Sequence, residues 1–246
     1  MRILEFCYNI FMSLNIKTTT EAGEVADFVA TSILKQLKSG KVVLFFVTGG
    51  SSILVGIKVA EILKNHQCEN LTIILTDERY GPLGHKDSNW QQLLDGGFVF
   101  PQAKLIPVLS GDGQKSTTEK FNQNLIQEFE RAEYKIGLFG IGSDGHIAGI
   151  LPDSDAVTMQ DLACGYETPS FIRITITPKA IEKLDEAVVF MQRESKWSVL
   201  EDLEKDIEIT KQPAQILKKV PSLTIFTDYQ NSRINSSGDI FKNEQR

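Results

Sequence analysis

Histidine is scarce in this chain, with three among 246 residues, and cysteine is equally so. Cys7, Cys68 and Cys164 are odd in number and scattered, without a Cys-x-x-Cys pair or a Cys/His cluster. A disulfide framework and a metal site are therefore not expected; reduced thiols in a cytoplasmic protein account for the three. Positive charge is short as well: 26 Lys and Arg against 32 Asp and Glu leave a net charge of −6. That balance argues against nucleic acid or an anionic membrane as partner, but not against a small anion, for which local charge decides. Long apolar runs are missing. The stretch from Met1 to Leu14 is interrupted by Glu5 and Asn9, precedes no small-residue cleavage site and is too short to span a bilayer. It reads as part of an N-terminal extension (residues 1–17), with Met12 as a possible natural start and a short export signal as the lesser alternative.

What remains is ordinary globular composition, 41% hydrophobic and 24% charged, enough for one α/β domain over residues 18–229. The polar, aperiodic residues 230–246 read as a disordered tail. Thr18-x-x-Glu21 has capping-box spacing before an apolar stripe of Val25, Phe28, Val29, Ile33 and Leu37, and Ser116-x-x-Glu119 before Phe121, Leu125 and Phe129. Val42 to Val47 and Leu71 to Leu75 are continuous apolar runs of the kind found in parallel strands covered on both faces. Ile136 to Gly140, Ile172 to Thr177, Ala187 to Met191 and Leu223 to Thr227 add four more strands, with helical stretches between. The alternation predicts an α/β fold: an open, mostly parallel sheet with helices on both faces, and ligands at the carboxyl ends of the strands.

Three of those strand ends carry chemistry. Thr48-Gly49-Gly50-Ser51-Ser52 joins a strand to a helix, where free N–H groups and the helix dipole favour an anion; a plain tight turn would use the same glycines. Asp77-Glu78-Arg79, with Asp87-Ser88-Asn89 shortly after, is either a solvated turn or a guanidinium fork for phosphate flanked by orienting carboxylates. Gly140-Ile-Gly142-Ser-Asp144-Gly145-His146 contains the letters of a dinucleotide fingerprint, yet Pro152 leaves little room for the helix such a fingerprint opens. No organic cofactor is expected. Its reading centres on His146, which titrates near neutrality without special tuning, with Asp144 close enough to orient it. His66 reads as solvent-exposed, and His85 as a lesser candidate for substrate contact.

Taken together, Thr48 to Ile53, Thr76 to Asn89 and Leu138 to Pro152 resemble the glucosamine-6-phosphate isomerase/deaminase and 6-phosphogluconolactonase superfamily. Its members carry Ser-Gly-Gly-Ser-Thr-Pro, Asp-Glu-Arg or Asp-Glu-Tyr followed by Ser-Asn, and Gly-x-Gly-x-Asp-Gly-His, in this order; the likeness runs from about Thr48 to Asp228. Arg79 and the apolar Leu151 resemble the lactonase branch, as does Pro169-Ser-Phe-Ile-Arg173-Ile-Thr175 with one extra residue. His146-Ile-Ala148 is worded as in deaminases. Phe190 to Lys196 departs from a Val-x-Gly-x-x-Lys segment: the glycine is missing, so Arg193 stands beside Lys196 as an alternative phosphate contact.

The resemblance implies hydrolysis of 6-phosphoglucono-δ-lactone by His146, assisted by Asp144 and Asp77. It implies phosphate binding by Gly49, Gly50, Ser51, Ser52, Arg79, Arg173 and Lys196, and further substrate contacts from Glu78, Asn89 and Gly142. No metal is expected; a monomer or weak homo-oligomer is. A deaminase and a non-catalytic sugar-phosphate sensor are the competing expectations.

Overall fold

Buried runs of β-branched and aromatic residues need apolar cover on both faces, and the chain provides it by returning a helix after most of its strands. In the computed structural model, which describes residues 14–229, the chain forms β1 (Asn15–Thr18), α1 (Ala22–Lys38), β2 (Val43–Val47), α2 (Ile53–Leu63), β3 (Leu71–Leu75), β4 (Asp77–Arg79) and α3 (Asn89–Asp95). It continues through β5 (Lys104–Ile106), α4 (Gln114–Arg131), β6 (Tyr134–Phe139), β7 (Ala163–Glu167), β8 (Ile172–Ile176), α5 (Pro178–Ile181), β9 (Glu186–Met191), α6 (Trp197–Asp202) and β10 (Ser222–Thr227). The expected tail and most of the expected extension lie outside the described residues.

Seven strands form one sheet in the order β1-β10-β9-β6-β2-β3-β5, every neighbouring pair parallel. Every residue of β2 and β3 is buried, as expected of strands covered on two sides. Successive residues of β2 show the cover. Phe46 meets Phe129 of α4 with ring centroids 5.6 Å apart, whereas Val47 packs against α2 at Gly56; neighbours on a strand face opposite ways, so helices lie on both faces. Among the described residues no helix is long and apolar enough to cross a membrane.

Three expectations need correction. Ile172–Ile176 is not in the main sheet: β8 is the middle of a small antiparallel sheet, β4-β8-β7. Its alternating Arg173 and Thr175 suit a strand with one polar side rather than a doubly covered one. The sheet also begins earlier than residue 18, because Asn15–Thr18 pairs with β10. Neither capping box forms. Thr18 ends β1 and Glu21 precedes α1 without a side-chain cap; Ser116 lies inside α4, which starts after the extended Gly113.

The strand order reverses at β2. From β2 the chain moves outward through β3 to β5, whereas β6, β9, β10 and β1 lie on its other side. The crevice between the carboxyl ends of β2 and β6 is the switch point at which open parallel sheets bind ligands.

Candidate functional site

The loops after β2 and β6 abut there. A side chain at Gly140 would begin 3.0 Å from Ser52 Oγ and 3.6 Å from Ser51 Oγ. Residues Gly50–Ser52 form a short 3-10 turn leading into α2, so their backbone N–H groups have no intrahelical acceptor and are donors at the helix start. The Ser52 hydroxyl is already engaged, donating to Phe190 O at 3.0 Å, which ties the loop to β9. Ser51 Oγ instead accepts from Lys196 Nζ at 3.4 Å.

The loop after β3 is joined to this one through Asn89, whose carboxamide fills the space beside Gly49 and donates to Asp77 O at 2.9 Å. Asn89 Oδ1 is buried without a partner. Glu78, expected at the ligand, is fully buried. Its carboxylate accepts from Ser88 Oγ (2.9 Å) and from the amides of Arg79 (2.7 Å), Asn89 (2.6 Å) and Trp90 (3.0 Å). Burial pushes the Glu78 carboxyl up, against the pull of those four donors. It fastens the start of α3 to β4 rather than reaching the crevice.

Arg79 and Arg173 are directly opposed across β4 and β8, and both guanidiniums lie over the Phe171 ring, 5.5 and 6.0 Å from its centroid. Arg173 Nη1 reaches Asp77 Oδ2 at 3.4 Å, and Arg79 Nη1 donates to Asp87 O at 3.0 Å. The Nε of each is buried without an acceptor. Asp77, expected to orient the imidazole, pairs with Arg173 and accepts from Thr76 Oγ1 (3.1 Å) instead. Of the two guanidiniums, that of Arg173 is the one paired with the Asp77 carboxylate, while that of Arg79 is bonded to a backbone carbonyl. His85 is occupied elsewhere, its Nε2 lying 2.9 Å from Arg79 O.

His146 Nδ1 lies 2.6 Å from Asp144 Oδ1, and the same oxygen accepts the His146 amide at 3.1 Å. Burial alone would raise the Asp144 carboxyl, but the His146 amide and imidazole together hold it below the usual range. With Nδ1 bonded, Nε2 is the ring atom left to face a ligand; the side chain is one-third exposed. Gly142, expected to touch substrate, has another task. A side chain there would begin 2.1 Å from His146 Nδ1 and 2.5 Å from Asp144 Oδ1, so its lack of one lets the dyad fold back over the loop. The amides of Gly142 and Gly145 donate within the loop, to His146 O and Gly142 O.

Lys196 reaches the first loop at Ser51 and feels the charge of Asp144. Burial lowers its ammonium from the usual range and the nearby Arg193 charge adds to this, while Asp144 opposes both. The missing glycine is explained by the backbone: Arg193 has φ 89° and ψ 137°, a glycine-type conformation three residues before Lys196. Among the described non-glycine residues only Ala148 (φ 52°), Asp153 (φ 55°) and Arg193 have left-handed φ. All three lie in the His146 and Lys196 loops, and such residues each cost of order 1–3 kcal/mol.

Of the residues fixing the His146 loop, Thr175 stands in the lactonase-like segment, but none carried a signal for this role in the sequence. Tyr166 Oη donates to Gly149 O at 2.5 Å and accepts from the Leu151 amide at 3.2 Å. Thr175 Oγ1 accepts the Gly149 amide at 2.9 Å. The Ala214 amide donates to Gly145 O at 3.0 Å, and the Asp153 amide to Thr210 O at 2.7 Å.

A family profile described as glucosamine-6-phosphate isomerases/6-phosphogluconolactonase matches residues 17–225. A 6-phosphogluconolactonase of Borreliella burgdorferi is 26% identical over 202 residues, covering 74% of this chain and 82% of that protein. A probable 6-phosphogluconolactonase of Dictyostelium discoideum is 25% identical over 225 residues, covering 82% and 91%. Among solved structures, a 6-phosphogluconolactonase of Shewanella baltica superposes with a TM-score of 0.74 at 20% identity, over 88% of this chain and 98% of that one. One from Plasmodium vivax gives 0.75 at 15% identity, over 90% and 93%; at these identities the likeness is one of fold. With most of its length matched, the chain belongs to the glucosamine-6-phosphate isomerase/6-phosphogluconolactonase family.

Proposed function

We propose that the protein hydrolyses 6-phosphoglucono-δ-lactone to 6-phosphogluconate, with the phosphate held by cations and the ring opened by one acid/base. The observation that carries this reading is the Asp144–His146 pair at 2.6 Å, set beside Lys196 and the Ser51 loop at the switch point.

Asp144 Oδ1 holds the proton on Nδ1, so the Nε2 lone pair faces the crevice. A water between Nε2 and the lactone carbonyl gives its proton to Nε2 as its oxygen bonds to the carbonyl carbon. The carbonyl π electrons move to oxygen, forming a tetrahedral oxyanion. Its collapse breaks the bond to the ring oxygen, which takes the proton back from the imidazolium. The neutral imidazole is restored, and the carboxylic acid product ionises at neutral pH. The amides of Gly142 and Gly145 are bonded within their own loop, so donors for the oxyanion come from the turn at Gly50–Ser52. One such donor stabilises an oxyanion by about 3–4 kcal/mol. Arg79 and Arg173, with buried Nε groups lacking acceptors, bind the phosphate jointly with Lys196.

The lactonase reading is favoured over a deaminase by Leu151, which is apolar where the deaminase branch resembles an acid. It is favoured over a sensor by the dyad, which ligand binding alone does not require. A continuous assay with freshly generated lactone is the test. Hydrolysis well above the spontaneous rate is expected; a rate equal to the spontaneous one, or ammonia release from glucosamine 6-phosphate, overturns the reading.

A further inference from the structure

Arg193 is the backbone outlier farthest from ordinary geometry, and it is not there by default. Its amide donates to Asp228 Oδ2 at 2.9 Å, while Trp197 Nε1 donates to Asp228 Oδ1 at 3.0 Å. The Lys196 amide closes the turn on Arg193 O at 2.9 Å, and the preceding Gln192 is tied to Thr20 O at 2.6 Å. Four bonds therefore hold a residue in a conformation that glycine would adopt without strain. Among the described residues neither the Arg193 nor the Lys196 side chain meets a carboxylate at ion-pair distance, although the protein has acid to spare.

We propose that Arg193 is held in this strained turn so that its guanidinium joins Lys196 as a second cation on the ligand's phosphate. This rests on the reading of the Lys196–Ser51 contact as part of the phosphate site. The two cations are complementary. Lys196 is a half-buried ammonium whose charge is disfavoured by desolvation first and by Arg193 second, whereas a guanidinium stays charged and offers two parallel donors to a phosphate. An arriving phosphate neutralises both and removes their mutual repulsion, so binding energy is directed to the anionic end of the substrate.

The test compares Arg193→Gly, Arg193→Ala and Arg193→Lys, reading calorimetric affinity for inorganic phosphate, KM and kcat for the lactone, and Tm. Arg193→Gly relieves the backbone and removes the charge: Tm rises by about 2–4 °C, while phosphate affinity falls about tenfold and KM rises in step, with kcat within twofold. Arg193→Ala loses the same affinity without the gain in Tm. Arg193→Lys retains affinity to within about threefold. Wild-type phosphate affinity in both Arg193→Gly and Arg193→Ala overturns the inference. Phosphate binding that weakens in these variants, in a wild type that does not turn over lactone, overturns the proposed function and leaves this inference standing.

Discussion

The two edges of the main sheet treat polar groups in opposite ways. At the amino edge, buried Glu186 accepts from Ser32 Oγ and from Tyr134 Oη at 2.7 Å, and buried Glu128 meets Lys104 at 2.5 Å and Arg131 at 3.6 Å. Tyr134, desolvated and bonded to Glu186, has its hydroxyl pushed up to about 12, so it stays a neutral donor at every working pH. At the carboxyl edge the accounting is left open. Arg79 Nε, Arg173 Nε and Asn89 Oδ1 are buried without partners, and the left-handed residues Ala148 and Arg193 collect there. Buried polar groups are normally satisfied, so the contrast marks one edge as built for folding and the other as the place where the proposed substrate would supply the missing partners.

Substitutions at the two edges should therefore separate activity from stability. The largest effect is expected for His146→Ala, which lowers kcat/KM by roughly 10²–10⁴-fold while the urea midpoint stays near wild type; retained activity would falsify the assigned base. Next is Arg173→Ala, which removes a buried charge-assisted contact: KM should rise about 10- to 100-fold, corresponding to roughly 1.5–3 kcal/mol, and unchanged KM removes it from the phosphate site. At the opposite edge, Glu186→Ala strands the hydroxyls of Tyr134 and Ser32 and should cost about 1–3 kcal/mol of stability in urea melts with kcat/KM intact. A fall in kcat/KM with no loss of stability would erase the distinction between the edges.

The smallest effect concerns pH. The Asp144 carboxyl is lowered from its ordinary 3.8 in the fold, so its contribution to stability is present above that value and fades as pH falls through the lower folded one. The stability difference between wild type and Asp144→Asn should thus be visible at pH 7 and shrink below pH 4. A difference that grows on acidification contradicts the sign.

Much of this was legible in the sequence, for a physical reason. Strands buried on both sides must be apolar at every position, so β2, β3, β6, β9 and β10 announce themselves. β1, β4, β5 and β7 are short or polar, and take their conformation from neighbours rather than from local propensity. β8 was visible as a strand but not assignable to a sheet, because Arg173 and Thr175 interrupt its apolar residues and nothing local names their partners. The three loops carried their chemistry as residue types at strand ends, and the structure gathers them. Glu78 and Gly142 could not be resolved beforehand: a buried anchor and a ligand contact use the same carboxylate, and a close-approach glycine looks like a binding one. Tyr166, Thr175 and Asp228 act on residues 17, 26 and 35 positions away, beyond any spacing rule.

Tyr166 gives the small antiparallel sheet a purpose beyond cover. Its residue is paired with Arg173 in β7–β8, and Arg173 with Arg79 in β8–β4, while its hydroxyl grips the segment just after His146. Hydrogen-bond register thereby acts as a ruler between the guanidiniums and the imidazole. A two-residue slip of β7 would carry the phenol some 7 Å along the strand, and the loop after His146 would lose its tie to the strands that carry the arginines.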